Sequence, residues 1–416
     1  MARFERAILR VLALCIHAGP ADPVKEMSKD RGQESMGKKS SPPSFIILTY
    51  SDFWDDPPRA RHQVAEALAK GYKVSFISAN RRGRPRLDRC RVQENLEVFT
   101  PFFPIDSRIR YRIPAINYRY QAWLFPLLKR EIADDKVIVI NWDYTATRVF
   151  EYYDKVVFYC NDYPIRYYYF NAIKKYLEKC EQTMAEKSLL CVATVNFLVE
   201  RLRKFNENVI ELRLGAPLID GELKFTRNDT VRIGLVGFLD ARRISLSIIK
   251  GLVSRPNVEL HVYGVLHPRL RKDLERYGNI RLRGILTGKL LIEDLKRIDV
   301  GIAPYRVSDV NPGGTPNKLW LYLAVGKPVV ISDLPSIKDW QFHDDFVYKA
   351  KDDKDFVEKI FSAYNRDSEE LMKLRADFAR ENSWDTRIKV LLERINAAIG
   401  QGDGFPGLPR DISVRL

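Results

Sequence analysis

The chain has 416 residues, 45% hydrophobic and 30% charged, which gives it length for two or three domains and excludes a fibrous, disordered or disulfide-stapled class. Lys plus Arg number 69 against 54 for Asp plus Glu, and the resulting +15 favours anionic partners: nucleotides and phosphorylated substrates, an acidic membrane surface, or nucleic acid. The five cysteines lie far apart without Cys-x-x-Cys and the five histidines show no ligand spacing, so neither a disulfide framework nor a metal site is expected, and a reducing, cytoplasmic setting follows.

Residues 1–43 read as a leader. Positions 7–18 are apolar apart from Arg10 and His17 and imitate a short signal peptide, a reading that the internal arginine weakens. The polar stretch 22–41 reads as disordered, and Met36 is an alternative start. No apolar run reaches the ~18 residues that a membrane span needs.

The first strong strand is 44–50 (SFIILTY), a run of the kind buried on both faces of a parallel sheet. A helix over 59–70 follows, with Val64, Ala65, Leu68 and Ala69 on one face and Gly71 as its stop, and strand 73–78 completes a βαβ unit. Further strands are expected at 96–100, 137–141, 156–160 and 190–194, with helices at 121–133 and 171–187. The stretch 81–91 reads as a basic loop. With Arg108, Arg110, Arg112 and the aromatics Phe102, Phe103, Tyr111, Tyr118, Tyr120 and Trp123, it suggests docking on an anionic membrane surface. It carries no RNA-binding signature, so nucleic acid is not expected as a partner.

Residues 216–230 read as a linker, after which the alternation restarts. Strands are expected at 231–236, 259–263, 280–283, 300–303 and 328–332, with helices at 245–254, 292–297 and 316–324. The prediction is an α/β protein of two Rossmann-like, doubly wound parallel-sheet domains, 44–215 and 231–384.

Residues 303–332 are the richest in chemistry. Tyr305 leaves a buried strand, and a loop with Gly313 and Gly314 leads into Thr315-Pro316-Asn317-Lys318, where Thr315 is the expected N-cap and Pro316 the first helical residue. A helix N-terminus at the carboxyl end of a strand, opened by two glycines and carrying Lys318, is suited to phosphate. Gly237 ends the first strand of the second half, where backbone approaches a ligand, and Arg242 and Arg243 follow it as diphosphate candidates. For a general base the first half offers Asp162, Asp143 and His62; Asp162 and Asp143 each lie just past a strand. Asp353-Lys354-Asp355 has the form of a metal-binding Asp-x-Asp but opens a helix, where acids favour the N-terminus, so no bound metal is expected.

The run 316–332 (PNKLWLYLAVGKPVVIS) resembles the donor-site segment of GT-B glycosyltransferases of group 1, in which Pro-x-Lys, Glu-Tyr-Leu-Ala and Gly-Lys-Pro-Val-Val follow one another. Residues 51–68 resemble the opening loop and helix of the glucuronosyltransferase-like and teichuronic-acid-type members. Residues 156–163 (VVFYCNDY) are similar to their strand ending in Asp-Asp or Asn-Asp, and 381–387 (ENSWDTR) to their Asn-Ser-Trp-Asp before the last helix. The resemblance implies a GT-B fold with the two domains facing across a cleft, a helix 385–400 crossing back and a tail 401–416. It implies a metal-independent transferase with no cofactor, whose partners are a nucleotide-diphosphate sugar as donor and a glycan or lipid-linked acceptor in cell-surface polysaccharide synthesis. Asp162 matches the base of inverting relatives, with Asp143 second, and Asp55, Arg61 and His62 fall where the acceptor half would grip its substrate.

The family's glutamate before Tyr-Leu-Ala, which binds the ribose, is Leu321 here, and the glutamate that retaining relatives carry eight residues earlier is Gly313. Leucine accepts no hydrogen bond. A catalytically silent binding protein and a nucleotide-sugar epimerase on the same architecture are therefore alternative readings.

Overall fold

The computed structural model describes residues 42–400 other than 169, 228, 241–242 and 308–311. The leader up to residue 41, the tail and Arg242 thus lie outside the described residues.

The first sheet contains β1 (Ser44–Leu48), β2 (Val74–Ile77), β3 (Arg81–Arg82), β4 (Arg86–Gln93), β5 (Leu96–Phe103), β6 (Val137–Asn141), β7 (Val156–Cys160), β8 (Leu190–Ala193) and β9 (Val209–Glu211). Its order is β3-β5-β2-β1-β6-β7-β8-β9, parallel throughout except that β4 folds back antiparallel onto β5. The central strands β1, β6 and β7 are buried at every position, as their unbroken apolar runs require when helices cover both faces. The helices of this half are α1 (Ala60–Ala69), α2 (Ser107–Arg110), α3 (Pro114–Glu131), α4 (Asn171–Lys187) and α5 (Asn196–Leu202).

The second sheet runs β12-β11-β10-β13-β14-β15 and is parallel throughout, with β10 (Val231–Val236), β11 (Val258–Tyr263), β12 (Ile280–Gly284), β13 (Val300–Ala303), β14 (Val329–Ser332) and β15 (Val347–Ala350). Its helices are α6 (Leu246–Val253), α7 (Pro268–Leu274), α8 (Gly288–Leu295), α9 (Asn317–Ala324), α10 (Asp353–Arg366), α11 (Glu369–Glu381) and α12 (Trp384–Ile399). Tyr322 of α9 lies flat on β13, where a Cβ at Gly301 would stand 2.3 Å from its ring. Its hydroxyl accepts from Val236 N (3.0 Å) and donates to Gly234 O (2.8 Å), tying α9 to the edge where β10 ends.

Both sheets fold their strand carboxyl ends toward the same cleft, and the chain passes between them twice. A Cβ at Gly215 would stand 2.6 Å from Trp384 N, and Ala216 exchanges backbone bonds with the α11–α12 corner (Ala216 N to Asn382 O 2.8 Å, Trp384 N to Ala216 O 3.1 Å). From that corner α12 runs back against α1, where Lys70 pairs with Asp385 at 2.6 Å.

Two expectations differ from what is observed. The stretch 81–91 is not a loop: β3 and β4 are exposed strands of an edge ribbon, each paired with β5, and Arg86 lies 3.4 Å from the ring centroid of Phe102. Of the aromatics read with it, Phe103, Tyr111 and Tyr120 are buried, so they pack the core and do not face an interface. The helix read at 121–133 is α3, which starts earlier because Pro114 occupies its first turn, where a missing N–H costs nothing.

Candidate active site between the two sheets

Three glycines mark the carboxyl ends of three adjacent strands in the second sheet: Gly237 after β10 (φ 137°), Gly264 after β11 (φ 113°) and Gly284 closing β12 (φ 72°). Such φ values are open to glycine and strained for other residues. The loops press together there, for a Cβ at Gly264 would stand 2.2 Å from Gly237 O. Each glycine is followed by an exposed apolar residue (Phe238, Val265 and Ile285), giving a hydrophobic shelf beside bare backbone. The sequence reading found Gly237 but missed this shelf, because an apolar residue after a buried strand looks like core. The signal was the Gly-apolar pair repeated at three strand ends.

Lys318, in the first turn of α9, reaches over Gly237; its Nζ is 3.4 Å from where a Cβ would stand and 4.8 Å from the Tyr305 ring centroid. Asn317 is exposed beside it, and no side chain caps this N-terminus. The expected cap is corrected: Pro316 holds the cap position, and the Thr315 hydroxyl instead donates across the cleft to Thr194 Oγ1 at 3.0 Å. The helix end is thereby left to interact with an anion. Gly313 closes against the first half, with a Cβ there falling 3.0 Å from Tyr163 N. That contact explains the missing glutamate at 313, since a longer side chain has no room. Gly314 spans the short gap between these two cross-cleft contacts, and Arg243 is exposed on the loop after β10.

On the facing edge, Asp162 follows β7 by two residues. Tyr163 N donates to its Oδ1 at 2.8 Å, and its carbonyl accepts from the Tyr144 hydroxyl. Burial pushes the Asp162 carboxyl above its usual range, opposed by the Tyr163 N–H, by Arg61 from its own half and by Arg243 from the other. Arg61 is buried in α1, 3.1 Å from Asp52 Oδ2 and 3.4 Å from Asn161 Oδ1, with its guanidinium 5.3 Å from the Tyr50 ring centroid. Its Nε is buried with no hydrogen-bond partner among the described residues.

The other first-half candidates do not join this group. Asp143 Oδ1 accepts from Thr145 N (2.8 Å), Thr145 Oγ1 (2.7 Å) and the Tyr111 hydroxyl (3.0 Å), so the carboxylate anchors the turn after β6. His62 caps its own helix: Nδ1 accepts from Arg59 N at 3.2 Å and Nε2 lies 2.9 Å from Phe53 O. Asp55 is on the surface in an ion pair with Arg81 at 2.8 Å, which holds its carboxyl below the usual range. Asp355 accepts from Lys351 N and Lys359, and Asp353 from Ser245 and Ser247.

The sequence of the second half matches the family model for glycosyl transferases group 1 over residues 231–366. The chain carries a group 1 glycosyltransferase domain. The chain is similar to a putative teichuronic acid biosynthesis glycosyltransferase, TuaH, of Bacillus subtilis (strain 168), 30% identical over 124 residues. The aligned stretch covers 29% of this chain and 31% of that relative. The fold is GT-B, as in solved structures similar to it. Sucrose-phosphate synthase from Thermosynechococcus elongatus superposes with a TM-score of 0.67 at 13% identity, covering 86% of this chain and 100% of that one. WaaG, a glycosyltransferase involved in lipopolysaccharide biosynthesis, gives 0.57 at 16% identity over 86% and 100%. HepE of Anabaena, in complex with UDP, gives 0.58 at 12% identity over 85% and 99%.

Proposed function

We propose that the glycosyltransferase domain works with the first half to move a sugar from a nucleotide-diphosphate sugar to a hydroxyl of a glycan or lipid-linked acceptor, in the cytoplasm and in the synthesis of a cell-surface polysaccharide. The observation that carries this reading is the opposition of Lys318 over Gly237, on one side of the cleft, to Asp162 on the other. The nucleobase lies on the shelf of Phe238, Val265 and Ile285, and the diphosphate on Gly237, Lys318, Arg243 and the N-terminus of α9.

Asp162 takes the proton of the acceptor hydroxyl, whose oxygen bonds to the anomeric carbon. The bond from that carbon to the diphosphate oxygen breaks, and the nucleoside diphosphate leaves with the electron pair. Lys318, Arg243 and the helix end stabilise the charge that develops, so the scheme calls for no metal and no cofactor. Attack from the face opposite the diphosphate inverts the sugar's configuration. Arg61 favours the ionised form of Asp162. The relatives' names, TuaH and WaaG, support a polysaccharide setting, and HepE with UDP supports a nucleotide in the cleft. The test is transfer of label from a panel of nucleotide sugars, with Asp162→Asn as the control.

The same reading places the protein on the inner face of an anionic membrane. No helix among the described residues is long and apolar enough to cross one. The ribbon of β3 and β4 exposes Arg81, Arg82, Arg84, Arg86, Arg89 and Arg91. Since Phe103, Tyr111 and Tyr120 are buried, attachment rests on charge.

A further inference from the structure

A cavity of ≈ 530 Å³ opens at the carboxyl ends of β13, β14 and β15, between the first turns of α6 and α10. Its polar wall is built from Ser245, Ser247, Ser332, Arg306, Lys351, Asp352 and Asp353. Gly237, Arg243, Lys318 and Asp162 take no part in it. Two paired chain segments divide it from the cleft: Ser245 N donates to Pro304 O (2.8 Å), Arg306 N to Arg243 O (2.9 Å), and Ile244 bridges Tyr305. Tyr305 belongs to both sides. Its ring carries Lys318, while its carbonyl accepts from Ser332 Oγ at 2.8 Å.

The lining groups decide what fits. Ser245 Oγ donates to Asp353 Oδ2 at 2.9 Å and Ser247 Oγ donates to the same oxygen, which leaves Oδ1 to accept from a ligand. Asp352 and Asp353 in the wall oppose an anion, and Arg306 and Lys351 oppose a cation. Ile244, Ile248, Val307 and Ala350 add apolar surface between the polar groups. Hydroxyls that both donate and accept, set on apolar C–H faces, satisfy all three conditions, and the volume lies within the ~300–1,000 Å³ of ligand sites. We propose that this cavity is a carbohydrate site distinct from the interlobe cleft, holding a neutral sugar residue of a glycan with Asp353 as its principal acceptor.

Saturation-transfer NMR on the full chain tests this with methyl α-glucoside, methyl α-galactoside, methyl α-mannoside and N-acetylglucosamine as probes, with and without UDP. At least one probe should take up saturation from the wild type, and the signal should survive UDP. Affinity should fall at least tenfold in Asp353→Ala, and binding should disappear in Ser247→Trp, which fills the cavity. Wild-type melting temperatures verify that both variants fold; if either melts early, Asp353→Asn, which keeps the side-chain shape, takes its place with a smaller loss. The proposal is overturned if no probe binds the wild type, if UDP abolishes the signal, or if folded variants bind as the wild type does. A failure of UDP itself to bind would count against the donor reading alone and would leave the sugar signal in place.

Discussion

Lys318 Nζ stands over Gly237, 3.4 Å from the place a Cβ would occupy, so the lysine of a helix end rests on the bare backbone of a loop. The pair defines a floor of positive charge and open backbone at the strand ends. Lys318→Ala should weaken UDP or GDP binding by about 1.5–3 kcal/mol, the range for a charge-assisted hydrogen bond, measured by calorimetry. Affinities equal to the wild type's would remove Lys318 from the diphosphate site.

Asp162→Asn should lower turnover by ~10²–10⁴ while leaving nucleotide affinity unchanged. The same change should raise the melting temperature at neutral pH. Burial raises this carboxyl's pKa in the folded protein, so its ionised form costs stability above that pKa, and the cost disappears below the unfolded value of about 3.9. The gain from asparagine should therefore vanish on acidification to that range. Asp143→Asn should do the reverse at neutral pH, destabilising the turn whose three donors converge on Oδ1.

The two departures from the family's glutamates have different structural reasons, and their restoration should differ in effect. Gly313→Glu forces a side chain against Tyr163 and Leu198 and should separate Thr315 from Thr194, with loss of thermal stability. Leu321 is only partly buried, one turn beyond Lys318 on α9. Leu321→Glu should fold normally and tighten UDP binding by about 1.5–3 kcal/mol through the ribose hydroxyls, the range for hydrogen bonds to a charged group. Calorimetry and melting curves on the two variants separate the cases.

Much of this arrangement is legible in the chain, for reasons that particular residues show. β1, β6 and β7 read as strands because both faces are covered, leaving an unbroken apolar run. β4 does not, since seven of its eight residues are exposed and arginines interrupt any alternation. Asp162, Gly237 and Lys318 could be placed by their position after a strand or at a helix start. Thr315 could not, because the preference of threonine for an N-cap lost to a partner, Thr194, that is 121 positions away in sequence. Local preference carries no information about such a contact.

Anionic vesicles should float the protein at low salt and release it at high salt, as screening shortens the Debye length. Replacing Arg82, Arg84 and Arg91 with glutamate should abolish flotation without changing transfer to a soluble acceptor. Flotation that persists in this variant would move the membrane contact away from the ribbon.

Transfer of label tests the central claim most directly. Purified protein is incubated with radiolabelled nucleotide sugars and with glycan and lipid extracts from polysaccharide-producing cells. The account predicts that label from at least one donor enters an acceptor, with release of the nucleoside diphosphate, and that Asp162→Asn loses the transfer while still binding nucleotide. No transfer from any donor, or transfer by Asp162→Asn at the wild-type rate, would contradict it.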